Sequence, residues 1–448
     1  MTTRRFLPLI AALCVAFLFC EIGLSQQIGS GSAALALLGA KVYVSPTEPP
    51  ILHATVLIKN GKILEVGSTE FSKPYKPGTY MFGAMPSAEK GKYYGIPRGA
   101  VPLLCEGMVI AAGFQNSHVH FTEPKWEGAA QEPAAQLAQQ LQDMLTEYGF
   151  TTVVDVGSFL ANTVALRGRV DSKEIPGPQI LTAGAPLYPP DGTPFYLRDV
   201  LPPEILKLLP EPATPEAAVK VVQSDISGGA DVIKLFTGSL VGGGQVKPMP
   251  LDIATAAVAE AHRQNRLVFS HPSNIEGLTI ALNAGVDVLA HTTPISKTWS
   301  DALIAQMKEH HMSLTPTLKL WIYEAKKEGG SDEDAQKFAD AGAGELGAYE
   351  RAGGQVLFGT DVGYMTEYDP TQEYLLMSRA GLTPMQILAS LTTAPAERFK
   401  EADLRGRIAP GMDADLVVLD ADPADNPANF AKVHYTIRGG RIIYTRPN

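Results

Sequence analysis

Along the middle of the chain, short apolar runs alternate with longer segments whose apolar residues recur at helical spacing. Residues 131–148 carry a helical pattern, 151–156 and 179–182 are β-rich, and Thr214-Pro215 caps a helix that stops at Gly228-Gly229. Strands over 232–236, 267–270, 286–290 and 313–315 then alternate with helices over 251–264, 275–283 and 300–310. A strand over 355–358 and a helix from the Thr383-Pro384 cap through Leu391 complete the series. Counting the apolar run 108–112 as the first, this predicts eight strands joined largely by helices. Strands apolar on both faces imply a parallel sheet covered on both sides. Eight of them imply an α/β fold closed as a (β/α)8 TIM barrel, with an open doubly wound sheet as the alternative.

The two ends read differently. Residues 40–44 and 55–58 are β-rich, and Asn60-Gly61 is a hairpin turn. Residues 414–419, 435–437 and 441–444 repeat that texture, with Arg438-Gly439-Gly440 as a turn. Both ends are therefore predicted to pair into one small composite β-sandwich domain. Its N-terminal part spans 30–107, the barrel 108–403, and its C-terminal part 404–448. Residues 71–98, rich in Gly, Pro, Lys and Tyr, read as an inserted loop.

Residues 1–25 read as a signal peptide: Arg4 and Arg5, an uncharged apolar run 6–20, then Gly23-Leu24-Ser25 before the cut. That run is shorter than the roughly 20 residues a membrane span needs. Cys14 and Cys20 lack the small preceding residue of a lipoprotein signal, and Leu7-Pro8 suits twin-arginine export poorly. The expectation is an exported protein, periplasmic or secreted. Its mature form keeps only Cys105, so no internal disulfide can hold it. Across 448 residues, 45% hydrophobic content supports a sizeable core. The 47 acidic residues exceed the 37 basic ones, which gives no support to nucleic-acid binding.

Candidate chemistry sits where polar residues interrupt strand ends, the place where such barrels keep their catalytic groups. These residues are His118 and His120, Lys234, His271, His291 and Asp361. Two residues apart on an extended segment, His118 and His120 point to one side and can reach one cation. A set of His and Asp donors suits zinc. Alone, the pair reads equally as two loop histidines, and Asp361 as a helix N-cap. His271 and His291, at the ends of neighbouring strands, move the balance towards a site. Lys234 lies inside an apolar strand, where an unpaired ammonium is costly. It is read either as a lysine reaching a carboxylate or as a carbamate able to bridge two metals.

His118-Val119-His120 after Gly113-Phe114, Lys234 in Gly-Ala-Asp-Val-Ile-Lys, His271, His291 and Gly-Thr-Asp361 together resemble the amidohydrolase superfamily. The likeness is strongest to its imidazolonepropionase-like and prolidase-like branch. Gly411 to Val417 resembles the family's re-entry into the end domain. The resemblance implies two divalent metals, read as zinc. It would give His118, His120 and Asp361 to one, His271 and His291 to the other, and carboxylated Lys234 as the bridge. It further implies attack by a metal-activated water, with Asp361 as proton shuttle and His291 helping to stabilise the oxyanion. One departure is Gln115-Asn116, where many relatives have an apolar residue and Asp.

Specificity is expected in the loops after the strands. They include 187–198, a lid candidate at 237–250 with Gly242-Gly243-Gly244, and Lys319, Trp321 and Tyr323. Arg198 or Lys319 would receive the carboxylate of a dipeptide. The leading reading is hydrolysis of a C–N bond in a small-molecule amide, cyclic amide or dipeptide. A lactonase or phosphotriesterase-type hydrolase on the same binuclear site is the alternative, and an exported binding protein without turnover a third. No nucleic acid and no stable membrane span are expected, and a homo-oligomer is compatible with this reading.

Overall fold

The computed structural model describes residues 34–68, 70–72, 81–87, 92–97, 99–199, 201–296 and 298–447. The expected signal segment 1–25, with Cys14 and Cys20, lies outside them. Cys105 is buried as a free thiol, and burial pushes it up to about 12.

The predicted alternation appears as seven parallel strands: β1 (Phe114–Val119), β2 (Phe150–Asp155), β3 (Gln179–Thr182), β4 (Val232–Phe236), β5 (Leu267–His271), β6 (Val288–Ala290) and β7 (Ser313–Thr315). They run in two ladders, β3-β2-β1 and β4-β5-β6-β7. Between the ladders the pairing narrows to isolated parallel bridges, Leu187 with Leu235, Leu314 with Val356 and Val119 with Val362. The arrangement is of TIM-barrel type, but a regular ladder does not run round a closed circuit. The predicted strand 355–358 shrinks to the bridge at Val356. Its backbone bonds are divided among Leu314, Ser117 and Ser390, so no single register is extended. Helices such as Pro215–Ser227 and Leu251–Arg263 bury an apolar face against the strands. Among the described residues, no helix is long and apolar enough to cross a membrane.

The run 108–112 is not the first barrel strand. Val109–Ala112 pairs with Ala34–Val42 and with Leu416–Leu419, in the sheet formed by the chain ends. That sheet has eight strands, the three nearest the C-terminus standing beside those nearest the N-terminus. Gly113 makes the turn from this sheet into β1. A Cβ there would lie 2.3 Å from Thr151 Oγ1, which explains the glycine. Leu416–Leu419 alternates: Val417 and Leu419 join the barrel core, while Leu416 and Val418 join the core of the end sheet.

Residues 71–98 are also not simply a loop. Glu70–Ser72, Met81–Pro86 and Lys92–Pro97 form a small antiparallel sheet. The flanking Gly, Pro and Lys residues obscure the β-prone Met, Phe and Tyr between them. Tyr94 from this sheet is buried, and its hydroxyl donates to Glu106 at 2.9 Å.

Arg405 clamps the two regions together. Its guanidinium donates to Thr152 Oγ1 at 3.1 Å and to Gln179, and lies 3.2–3.3 Å from Glu401, Asp413 and Asp415. Truncating one partner of a buried ion network leaves the others uncompensated. Arg405→Ala should therefore destabilise the fold by about 3 kcal/mol, measured as a lower urea midpoint.

Candidate metal centre

The strand ends converge. β1 carries His118, with His120 just beyond it, and β4 carries Lys234. β5 ends at His271, His291 follows β6, and Asp361 follows the bridged segment around Val356. All six side chains line one cavity of about 240 Å³. Asp361 Oδ1 lies 3.2 Å from His118 Nε2 and 2.9 Å from His120 Nε2. Ring centroids are 4.6 Å apart for His118 and His291, 4.8 Å for His271 and His291, and 5.2 Å for His118 and His120. The ligand atoms of His118, His291 and Asp361 lie within 4.8 Å of one another. This tight triad crosses the two ligand sets that the family resemblance implies.

The donor set fits a cation. His118 is fully buried with neither ring nitrogen hydrogen-bonded, and Asp361 Oδ1 likewise has no hydrogen bond. A buried polar atom left unpaired costs about 1–3 kcal/mol. Burial pulls His118 and His271 down to about 3, with the Lys234 charge adding to the effect, and holds His291 well below the usual imidazole range. These imidazoles are thus neutral and offer lone pairs. At His120 burial also opposes the charge, but the close approach of the Asp361 carboxylate outweighs it and raises the ring. Burial would push Asp361 up, yet the surrounding histidines hold it well below the usual carboxylate range. Burial pulls the Lys234 ammonium down to about 7 against the pull of Asp361. Its Nζ stands 5.9 Å from the Phe236 ring centre and has no ion pair among the described residues.

Neighbouring groups fix the tautomers, and sequence reading had not singled them out for this. His120 Nδ1 donates to the Gly157 carbonyl at 2.7 Å, which frees Nε2. The Thr317 hydroxyl donates to Pro316 O at 2.8 Å and therefore accepts from His291 Nδ1 at 2.6 Å, again freeing Nε2. The Ser273 hydroxyl donates to Gly238 O at 3.0 Å and accepts from His271 Nε2 at 3.0 Å, leaving Nδ1 free. Asp155, beneath His120, accepts from Gly157 N at 3.2 Å and Thr182 Oγ1 at 2.7 Å. Gln115-Asn116 has its own bonding. Asn116 donates to Thr360 Oγ1 at 2.7 Å and accepts from His118 N at 3.2 Å, while Gln115 donates to Thr392 O at 3.0 Å. Glu373 accepts from Leu318 N and Lys319 N at 2.8 and 2.7 Å. It thereby caps the helix Leu318–Lys327, which begins just after Thr317 and has no cap of its own.

The backbone is strained here. Ser273, His291, Thr317 and Asp361 all sit at positive φ, between 46° and 73°, which costs of order 1–3 kcal/mol each. Gly363, at φ 94°, passes so close to β1 that a Cβ would lie 1.8 Å from His120 O.

The cavity walls are mostly aromatic and aliphatic, including Tyr188, Tyr196, Phe236, Leu240, Trp321 and Tyr364. Neither expected carboxylate receiver reaches them. Arg198 donates to the Val241 carbonyl, and Lys319 Nζ donates to the Glu367 and Asp369 carbonyls at 2.8 and 3.0 Å. The lid candidate 237–250 is a hairpin, Gly238–Gly242 against Gln245–Pro248, with Gly242, Gly243 and Gly244 turning at positive φ. A wider cleft of about 990 Å³ opens where strands begin. Its acids Asp231 and Asp287 are already paired with Arg167 and His262.

The sequence profile described as "Amidohydrolase family" matches residues 109–443. An ochratoxinase of Aspergillus niger is 28% identical over 247 residues, covering 51% of this chain and 49% of that protein. An uncharacterized protein of Mycobacterium bovis is 30% identical over 203 residues, 43% of this chain and 52% of its own length. The chain thus spans about half the length of these sequence relatives. Among solved structures, a Xaa-Pro dipeptidase with bound methionine superposes with a TM-score of 0.72 at 20% identity, covering 92% of this chain and 100% of that one. The A. niger ochratoxinase structure gives 0.71 at 20% identity, covering 93% and 96%. At that identity the likeness is one of fold.

Two substitutions probe the supports. Thr317→Val should cut affinity for zinc about 10–100-fold by releasing His291, read by chelator competition. Gly363→Ala should cost more than about 1 kcal/mol in stability and lower bound metal, read by denaturation and elemental analysis.

Proposed function

The chain belongs to the amidohydrolase family, and on that premise we propose that it hydrolyses a C–N bond in an amide, cyclic amide or dipeptide with divalent metal at this centre. One observation carries the reading: a wholly buried His118 with two unpaired ring nitrogens beside an unpaired Asp361 oxygen. We assign His118, His120 and Asp361 to one zinc, His271 and His291 to a second, and carboxylated Lys234 to the bridge. The nitrogen and oxygen donors support zinc. The unpaired, buried amine of Lys234 supports a carbamate, which forms from the neutral amine and CO₂ with loss of a proton.

When bound, such a metal acidifies water and polarises a carbonyl. Asp361 takes a proton from the water that adds to the carbonyl carbon. As the C–N bond breaks, it returns that proton to the leaving nitrogen, giving a carboxylic acid and an amine. His291, with Nδ1–H directed at Thr317, has an Nε2 lone pair and no proton to donate there, so its role is ligand rather than oxyanion donor. The apolar walls exclude water from the reacting bond.

The same reading takes the barrel as closed and running from Phe114 to 403, in place of a start at 108, since Val109–Ala112 lies in the end sheet. It takes that end sheet as part of a composite sandwich built from both ends of the chain. Export after loss of residues 1–25 is proposed on Arg4, Arg5 and the apolar run alone.

Elemental analysis should find two metal equivalents per chain, falling to one or none in Lys234→Ala; an unchanged count removes the bridge. Asp361→Asn should lose about 10²–10⁴ in kcat across N-acyl amino acids, Xaa-Pro dipeptides and hydantoins. Full turnover with metals retained would remove the proton shuttle.

A further inference from the structure

We propose that the cavity selects amides whose leaving portion is apolar and uncharged, and that Glu324 turns away a free carboxylate there. This rests on the amide-hydrolase reading and deepens it.

Three observations carry it. First, the wall charges have one sign. Apart from Lys234 at the floor, the described lining residues include no lysine and no arginine, whereas Glu324 faces the cavity beside Tyr364. Second, the cations expected to receive a carboxylate are spent elsewhere, Arg198 on Val241 O and Lys319 on the Glu367 and Asp369 carbonyls. Third, Lys327, the cation beside the lining residues Tyr196 and Tyr364, is already engaged. Lys327 Nζ donates to Tyr364 Oη at 2.9 Å and lies 3.8 Å from Glu324, while its charge sits 4.8 Å from the Tyr364 ring centre and 6.0 Å from that of Tyr196. Tyr364 Oη in turn donates to Glu324 at 2.8 Å, holding that carboxylate in place.

An arriving carboxylate would lose water among aromatic walls and meet a fixed like charge, with no free cation to offset either. A neutral aromatic end meets Trp321, Tyr196 and Phe236, whose faces favour ring contacts. Discrimination then comes from an unfavourable contact with the acid form more than from an added attraction to the neutral one.

The test uses a matched pair, N-benzoylphenylalaninamide and N-benzoylphenylalanine, and their non-cleavable ketomethylene isosteres. Binding of the isosteres to the metal-loaded protein is followed by quenching of Trp321, the only one of the three tryptophans that lines the cavity. The amide-ended isostere should bind at least about tenfold tighter than the acid-ended one, and kcat/KM should rank the substrates alike. Glu324→Gln should shrink that ratio to about threefold or less. Tyr364→Phe, which keeps the Glu324 charge but releases its hydrogen bond, should lower the ratio less than Glu324→Gln does. Equal or tighter binding of the acid form by the wild type overturns the proposal, as does a ratio unmoved in Glu324→Gln or collapsed in Tyr364→Phe. Should neither substrate be cleaved while the isosteres keep their ratio, the hydrolase reading fails and the cavity preference stands.

Discussion

Everything in this fold answers to one electrostatic demand: several polar side chains share a dry pocket without enough partners among themselves. His118 is enclosed on all sides with two bare nitrogens, and Asp361 presents a bare oxygen to it. Burial strips protons from the imidazoles while their neighbours keep Asp361 ionised. Such a cluster is poor as a packed core and good as a cradle for positive charge. The surrounding structure holds it in that state. Gly157, Thr317 and Ser273 each bind the ring nitrogen that faces away, so that the other faces inward.

The hold extends further out. Thr317 can serve His291 because the next helix starts immediately behind it, and that helix starts there because Glu373 ties down its first amides. Ser273, His291 and Thr317, all at positive φ, take part in these bonds. The close packing of Gly363 on His120 fixes the segment after Asp361 against the segment after β1. Backbone strain and orphaned polar atoms therefore coincide at this centre, as expected where sequence serves chemistry at the expense of stability.

How much of this was legible follows from what periodicity can carry. Alternating apolar runs marked the strands from β2 to β7, and a polar residue breaking each run marked Lys234, His271 and His291. The run 108–112 misled because a strand in the end sheet and a strand in the barrel have the same texture; the distinction lies in Gly113, whose neighbour Thr151 is remote in sequence. Segment 355–358 is apolar like a strand but spreads its bonds over three partners, which no local pattern encodes. Thr317, Gly157 and Glu373 carry no signature, since a threonine, a carbonyl and a glutamate become supports only through the fold. Arg198 and Lys319 looked like carboxylate receivers because sequence gives their charge but not their direction.

The sheet made from the chain ends has a consequence for biosynthesis. Val109–Ala112 has its partner Leu416–Leu419 near the opposite end of the polypeptide. On the ribosome, this apolar strand emerges with one edge complete against Ala34–Val42 and the other bare. The whole barrel must be translated before the missing strand exists. During that interval the nascent chain carries an open β-edge that invites chaperone capture or wrong pairing until Leu416–Leu419 docks on it.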